Sequence, residues 1–267
     1  MNLVKIRMAV PVLSCFLVIA ITMSAQDHAP QTSAFPLTAE QVVKNLEAKN
    51  RERAAALRQF EGTRIYTMQY RGFPTNRDAE MVVTMNYQAP ATKEFTVVSQ
   101  TGSRFIIDHV FKKLLEGEKE ATNSENQRQT ALSAENYDFT MAGYETTPAG
   151  AQYVLNTVPK SKNKFLYRGK IWIDARDFAV VRIEAEPAKN PSFWIKKTSI
   201  AHKYSKVNNF WLPAENRTES SMRLGGRAVL SIEYKDYKIK DSQPAHSGQQ
   251  DPLSTNTSSF VEILSKN

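Results

Sequence analysis

The residue types that most often perform chemistry are few in this sequence and stand far apart. The chain has one cysteine and four histidines, and no two histidines are spaced four residues apart, as the ligands of a helical zinc site would be. The sequence has neither a G-x-S-x-G motif nor a phosphate-binding loop. We therefore predict no catalytic residue, no metal site and no cofactor. The histidines are interpreted as polar residues on solvent-facing surfaces, and they are His28, His109, His202 and His246.

Three short motifs that carry charges or glycines are typical of turns between strands. Asp174 and Asp177 bracket the string DARD, which favours a type I turn over a catalytic pair of carboxylates. The glycines of RLGGR at 223–227 predict a hairpin. The lysines of PKSKNK at 159–164 predict a solvated basic turn, and contact with anionic lipid headgroups or with an acidic partner is the alternative.

The residues that indicate a binding function are apolar, aromatic or sulfur-containing. They recur with the period of two that antiparallel strands show, first along a strand after Gly62 and then along the next strand, whose other face carries Glu80, Thr84 and Asn86. Methionine adapts its shape to irregular ligands, so these residues are candidates for lining an open apolar cavity; filling an ordinary core is the alternative. The candidates on the two strands are Tyr66, Met68, Tyr70, Met81, Val83, Met85 and Tyr87.

Two amphipathic helices are predicted to cover part of the sheet. Thr38 and Gln41 have the spacing of a capping box, which predicts that a first helix begins there and runs to about residue 60, with Leu57 and Phe60 on its apolar face. A second helix is predicted over 103–117. The predicted apolar stripe of this second helix comprises Phe105, Ile106, Val110, Leu114 and Leu115.

About seven further strands are predicted between Phe139 and Ile239, after a polar loop with a short helical turn at 119–136. The clearest of these strands are 150–158, 165–173, 177–186, 193–206 and 226–238. Two helices can cover only part of so large a sheet, so the sheet must curl or leave an apolar concavity open. The predicted fold class is therefore α+β, with a strongly curved antiparallel sheet of about ten strands that helices cover in part.

The N-terminus has the pattern of a secretory signal. Lys5 and Arg7 precede an uncharged, mostly apolar run at 8–23, which is short for a membrane span, and small residues follow it. We expect residues 1–25 to be removed on export, and a retained anchor is the alternative. Cys15 lies inside the apolar run, and apolar residues continue after it, which argues against lipid attachment.

Three regions follow the predicted signal. Residues 26–37 are predicted to be a flexible lead-in, residues 38–240 a single folded domain, and residues 241–267 a mostly disordered tail rich in Ser, Gln, Pro and Asn. The formal net charge of +8 is modest for this length, and the basic residues are scattered among acidic ones. This distribution excludes a reader of nucleic acid and favours solubility with weak attraction to anionic membranes.

The order of elements and several strings resemble a known family. A helix, three strands, an amphipathic helix and a run of antiparallel strands over 38–240 resemble the LolA-like superfamily of periplasmic lipoprotein carriers. The stretch at 155–220 contains a strand ending in IWID, a VVRIE strand and an FWLPA strand, and in these it resembles bacterial proteins labelled outer-membrane lipoprotein-sorting protein. The resemblance implies an unclosed barrel with helices as a lid over a hydrophobic cavity that takes acyl chains, and it transfers no individual contact residue. A carrier must release its cargo, so the helix at 103–117 is the candidate for a movable lid. The apolar residues named above on the two strands are then expected to bind lipid, together with Phe105, Ile106, Val110 and Leu114 of this helix.

The function expected from the resemblance is that of a non-enzymatic periplasmic carrier. It would bind a lipid or an acylated lipoprotein for transfer towards the outer membrane. Transient contacts with inner- or outer-membrane proteins are expected, and the chain is expected to be a monomer. The alternative is a periplasmic sensor or regulator that uses the same fold to bind a partner protein.

Overall fold

The computed structural model describes residues 35–90, 92–120, 124–163, 165–189 and 193–242. The helices are α1 Ala39–Ala56, α2 Arg104–Ile106, α3 Lys112–Glu120 and α4 Ser124–Thr130, and a π-helical turn, Ile107–Phe111, joins α2 to α3. The strands are β1 Leu57–Arg71, β2 Arg77–Gln88, β3 Thr92–Gly102, β4 Tyr137–Thr147, β5 Gly150–Pro159, β6 Tyr167–Asp174, β7 Val180–Pro187, β8 Ile195–Val207, β9 Phe210–Met222 and β10 Arg227–Ser242. The predicted signal, and most of the predicted lead-in and tail, lie outside the described residues.

The ten strands form one curved antiparallel sheet that does not close into a barrel. Their order is β3-β2-β1-β10-β9-β8-β7-β6-β5-β4, so that, among the described strands, β3 and β4 form the two edges. Most neighbouring strands follow each other in the sequence and are joined by short turns. The exception is the pairing of β1 with β10, which are the first and last strands of the domain. The predicted fold class is confirmed, as are the seven strands expected after the second helix. Within the described residues, no helix has both the length and the apolar character of a membrane span.

Two helical segments cover separate parts of the concave face. Helix α1 packs against β5 to β8 through Val42, Val43 and Leu46. The continuous helical segment from Arg104 to Glu120, which we call the covering helix, packs against β1, β2 and β10. Each large apolar side chain buried in this way contributes about 1.5–3 kcal/mol. The residues of the covering helix that are buried in this cluster are Ile106, Ile107, Val110, Phe111, Leu114 and Leu115.

Helix α1 begins as predicted and ends earlier than predicted. The Thr38 hydroxyl accepts a hydrogen bond from the Gln41 backbone N–H at 3.3 Å, and the Gln41 side chain accepts one from the Thr38 N–H at 2.9 Å, which completes the capping box. The helix ends at Ala56, so the prediction of Leu57 and Phe60 as helical is wrong. From Leu57 onwards the backbone pairs with β10 and β2, and this pairing outweighs the local apolar spacing.

The predicted stripe of the covering helix is wrong at Phe105. An α-helix has 3.6 residues per turn, so Phe105 lies on the same side of the helix as His109 and away from the line through Ile106, Val110 and Leu114. The ring centroids of Phe105 and His109 are 4.8 Å apart. Its side chain is therefore 52% exposed, whereas these three residues are buried. The helix also continues to Glu120, into the stretch predicted to be a loop, and α4 accounts for the short helical turn expected there.

Candidate functional site

A cavity lies on the concave face between the end of α1 and the end of the covering helix. We call it the central cavity; its volume is about 150 Å³. Strands β1, β2, β9 and β10 contribute most of its wall, since their inward side chains between the two helices are not fully covered. The apolar residues of this wall are Leu57, Phe60, Met85, Tyr87, Phe210 and Leu212.

One end of the central cavity holds three charged side chains, Arg64, Lys93 and Glu118, which we call the charge cluster. Arg64 Nη1 lies 2.5 Å from Glu118 Oε2, and Lys93 Nζ lies 3.9 Å from the same oxygen. The Tyr66 hydroxyl donates a hydrogen bond to Glu118 Oε1 at 3.3 Å. The buried Nε of Arg64 has no hydrogen-bond partner among the described residues. The cluster thus contains two cations and one carboxylate, and one cationic donor remains unused.

Neighbouring groups favour the charged forms of these side chains, although burial favours the neutral forms. Burial alone would raise the pKa of the Glu118 carboxyl, but Arg64 and Lys93 outweigh that effect and hold the pKa below its usual value. Burial lowers the pKa of the Lys93 ammonium, and Glu118 offsets part of this change. The Arg64 guanidinium also lies between the rings of Phe95 and Tyr234, 5.2 and 5.1 Å from their centroids, where a cation interacts favourably with the π electrons.

Regular periodicity brings the three charges to the inward face. Arg64 is two residues before the buried Tyr66 on β1, so alternation along the strand turns its side chain inward. Lys93 lies on β3 directly opposite Tyr87 of β2. Glu118 follows the buried Leu114 by four residues and therefore lies on the same face of the covering helix. Sequence reasoning missed these residues, although a charged residue in an apolar register was the signal that could have identified them.

The predicted lipid-binding residues fall into three groups. Two of them, Met85 and Tyr87, line the central cavity. Tyr70 is partly buried at the margin of the cluster beneath the covering helix, and Phe105 lies outside it. The remaining predicted residues are packed together under the covering helix, and they are Tyr66, Met68, Met81, Val83, Ile106, Val110 and Leu114. The structure thus brings most of them together, next to the central cavity, and their contact with a lipid remains a prediction.

The two histidines of the described domain differ in their surroundings. His109 is exposed on the covering helix, as predicted. The prediction for His202 is wrong, because this residue points inward from β8 and is only 6% exposed. Burial lowers the pKa of the His202 imidazole to about 4, and its Nε2 has no hydrogen-bond partner among the described residues. In the part of the chain that the structure describes, no three His, Cys, Asp or Glu side chains are grouped as a metal site would require.

The DARD motif forms the predicted turn. Asp174 Oδ1 accepts hydrogen bonds from the backbone N–H groups of Arg176 and Asp177, at 2.9 and 2.7 Å. The Asp177 carboxylate in turn accepts hydrogen bonds from Lys206 at 2.6 Å and from Trp211 at 2.8 Å. These contacts tie the β6–β7 turn to β8 and β9, so the two aspartates have a structural role.

Comparison with known proteins finds similar folds at low sequence identity. No family model matches the chain, and no curated protein matches it. Among solved structures, a DUF1329 family protein from Desulfovibrio piger is similar, with 12% identity, a TM-score of 0.40 and coverage of 76% of this chain and 93% of that chain. A LolA superfamily protein from Nitrosomonas europaea has 10% identity and a TM-score of 0.35, over 77% of this chain and 94% of that chain.

A third similar structure is an outer membrane lipoprotein-sorting protein domain from Vibrio parahaemolyticus. It has 9% identity and a TM-score of 0.36, over 79% of this chain and 93% of that chain. LolA superfamily and lipoprotein-sorting structures, the group that the IWID, VVRIE and FWLPA strings resemble, are thus among the structures to which this chain is similar.

Proposed function

We propose that this chain is a non-enzymatic periplasmic carrier that binds a lipid or an acylated lipoprotein in the central cavity, for transfer towards the outer membrane. The observation that carries the proposal is the combination of an apolar wall with a buried excess of positive charge at one end. An acyl chain matches the wall, and an anionic head matches the charge cluster. Within this class of ligands, the cluster favours a lipid whose head carries a carboxylate or a phosphate.

The energy available from the apolar part of such a ligand is large. Burying a 14-carbon chain contributes on the order of 11 kcal/mol, at about 0.8 kcal/mol per CH₂. A charge-assisted hydrogen bond from Arg64 or Lys93 to the head would add about 1.5–3 kcal/mol. The chain therefore supplies most of the affinity, whereas the head determines which lipid is preferred.

Binding a whole acyl chain requires the covering helix to move. The central cavity, at about 150 Å³, is smaller than the roughly 300–1,000 Å³ of most small-molecule sites. The adjoining space is filled by Tyr66, Met68, Met81 and Val83, packed against the covering helix. Displacing that helix outward would join this apolar surface to the cavity, and the predicted lipid-binding residues would then contact the chain.

A matched pair of ligands tests the proposal. A long-chain fatty acid and the alcohol of equal chain length are titrated against a fluorescent acyl probe, so that only the head differs. We expect the acid to bind more tightly, and Lys93→Gln to reduce that preference by roughly tenfold while leaving the alcohol unchanged. Lys238→Gln, an exposed residue on β10, is the matched control. If neither ligand displaces the probe, or if the probe does not bind, the proposal is wrong.

The second candidate function, binding of a partner protein, is favoured by the edge strand β3. This strand runs over Thr92–Gly102, and its stretch at 95–102 carries no charge and exposes Val97 and Val98. Uncharged edges of this length can pair with a strand of another chain. A proline at Val98 would block such pairing and leave acyl binding intact. If Val98→Pro abolishes binding of a partner protein, and the wild-type chain binds no acyl ligand, the sensor is favoured over the carrier.

A further inference from the structure

Six connecting segments of the chain lie at the same end of the sheet. Every neighbouring pair of strands is antiparallel. The connections β1–β2, β5–β6, β7–β8 and β9–β10, the start of the covering helix after β3 and the segment that enters β4 therefore share one end, and the other hairpins share the opposite end. The register agrees with this placement, since Arg71 pairs with Arg227 and Tyr167 pairs with Pro187. The Ala188 N–H also donates a hydrogen bond to the Leu166 carbonyl at 2.7 Å, across two of these connections.

This end exposes five large apolar side chains, which we call the aromatic rim. They are Phe73, Phe105, Phe193, Trp194 and Leu224, whose exposed fractions are 80%, 52%, 73%, 51% and 75%. Soluble proteins seldom concentrate so much exposed apolar surface in one region without a binding function.

Contacts between neighbouring turns hold much of the aromatic rim in one continuous surface. A Cβ placed on Gly72 would lie 2.7 Å from the Cα of Gly226, so the β1–β2 and β9–β10 turns touch. Arg223 joins the β9–β10 turn to the β7–β8 connection: its Nε donates to the Phe193 carbonyl at 2.6 Å, and its N–H donates to the Trp194 carbonyl at 2.8 Å.

Lysine and arginine predominate in the connections at this end, although Glu135, in the segment that enters β4, is acidic. In the connecting stretches 71–77, 103–105, 159–168, 187–197 and 222–227, every charged residue is a lysine or an arginine. Aspartates and glutamates pair with Arg71, Lys160, Lys197 and Arg227 from neighbouring strand positions. At the opposite end, the connections 88–92, 147–150 and 207–210 carry no charge, and the DARD turn contributes two carboxylates and the Arg176 guanidinium. Positive charge is therefore concentrated in the connections that carry the aromatic rim.

Arginine guanidinium groups are stacked on the exposed rings. Arg77 lies over the Phe105 ring, 4.7 Å from its centroid, and Arg223 lies over the Phe193 ring at 5.0 Å. Aromatic rings favour the interfacial layer of a bilayer, and each nearby lysine or arginine adds attraction to anionic headgroups. A protein surface that combines cations with exposed rings therefore suits an anionic bilayer, whose interior is apolar and whose headgroup layer is negative.

We propose that the aromatic rim docks the protein on an anionic lipid bilayer. Phe73, Phe193, Trp194 and Leu224 enter the headgroup layer, and the surrounding lysines and arginines bind lipid phosphates. This inference does not depend on what the central cavity holds. A protein partner with an acidic surface would need only the charges, whereas insertion of the apolar side chains is specific to the bilayer.

Vesicle binding tests the inference with the full processed chain. Sedimentation with vesicles of phosphatidylcholine alone is compared with sedimentation on vesicles that also contain phosphatidylglycerol. We expect binding to the anionic vesicles, weakened at least about tenfold by Lys196→Glu together with Lys162→Glu and by Phe193→Ser together with Leu224→Ser. The matched controls, Lys238→Glu and Val98→Ser, change exposed residues that lie away from the rim and should leave binding unchanged.

Three results would overturn the inference. They are failure of the wild-type chain to bind anionic vesicles, equal binding of the wild type and of both rim variants, and loss with the charge variant alone. The last would identify the surface as a docking site for an acidic protein. Circular dichroism of each variant checks folding, which exposed positions should preserve. A blue shift of tryptophan fluorescence on vesicles, absent after Trp194→Phe, provides an independent readout of insertion.

Discussion

The charge cluster makes a quantitative prediction for the variant Glu118→Gln. This change removes the only carboxylate within 4 Å of Arg64 or Lys93 among the ion pairs of the described residues and leaves two cations at a buried site. Removing one partner of a buried ion pair typically costs about 3–5 kcal/mol, because the remaining charge loses its compensation without regaining water. We expect a loss of this size in the free energy of unfolding, measured by urea denaturation followed by circular dichroism.

Companion variants separate the charge effect from other changes. Glu116→Gln alters an exposed residue on the same helix and should cost less than about 0.5 kcal/mol. Replacing Glu118 and Arg64 together by methionine should cost less than the sum of the two single changes, since the double variant leaves only Lys93 charged. Because the pKa of Glu118 is lowered in the fold, its contribution to stability is present above pH 4.5 and is lost as the pH falls below that value.

The ligand response of Glu118→Gln adds a second readout. With the carboxylate gone, an anionic lipid would be the cluster's main source of negative charge, so a fatty acid should raise the melting temperature of the variant more than that of the wild type. If the variant loses no more stability than Glu116→Gln, the cluster is solvated and the reasoning about its buried charge fails.

Three further predictions concern other parts of the chain. Val83→Asp should cost several kcal/mol in urea melts, whereas Thr84→Asp on the other face of β2 should cost less than about 1, and equal losses would show that the inward face is wrongly assigned. The fold keeps His202 neutral down to about pH 4 while the unfolded chain takes up a proton near pH 6.5; stability should therefore fall by roughly 3 kcal/mol as the pH drops through that window. His202→Gln should remove this fall and His109→Gln should preserve it. Finally, the exported protein should begin within a few residues of Ala25, as intact mass would show; a full-length, membrane-embedded product would contradict the signal.

The sequence predicts the sheet well, because its signals are local and repeated. Alternation from Met81 to Tyr87 identifies the buried face of β2, and all four residues of that alternation are buried. Turn motifs such as DARD separate neighbouring strands at the right places, because short antiparallel connections require particular residues. The capping box at Thr38 marks the start of α1 in the same local way.

The sequence predicts the site less well, because its polar end depends on contacts between distant elements. Arg64, Lys93 and Glu118 come from β1, β3 and the covering helix, and their mutual neutralisation is visible only once these elements meet. Charged and polar residues of a strand are ordinarily expected on the solvent face. The prediction that His202 faces solvent is wrong for this reason. The end of α1 was also misplaced, because sheet pairing, a non-local interaction, determines where the helix stops.

The most direct test of the central claim is the mass of the protein after gentle purification. Native mass spectrometry of the exported chain, isolated without detergent, reports any ligand that remains bound. We predict an added mass that corresponds to an anionic amphiphile with at least one acyl chain, and a smaller fraction of the protein carrying that anionic mass when Lys93 is replaced by glutamine. A folded wild-type protein that carries no added mass, and that takes up no acyl ligand when one is supplied, would contradict the account.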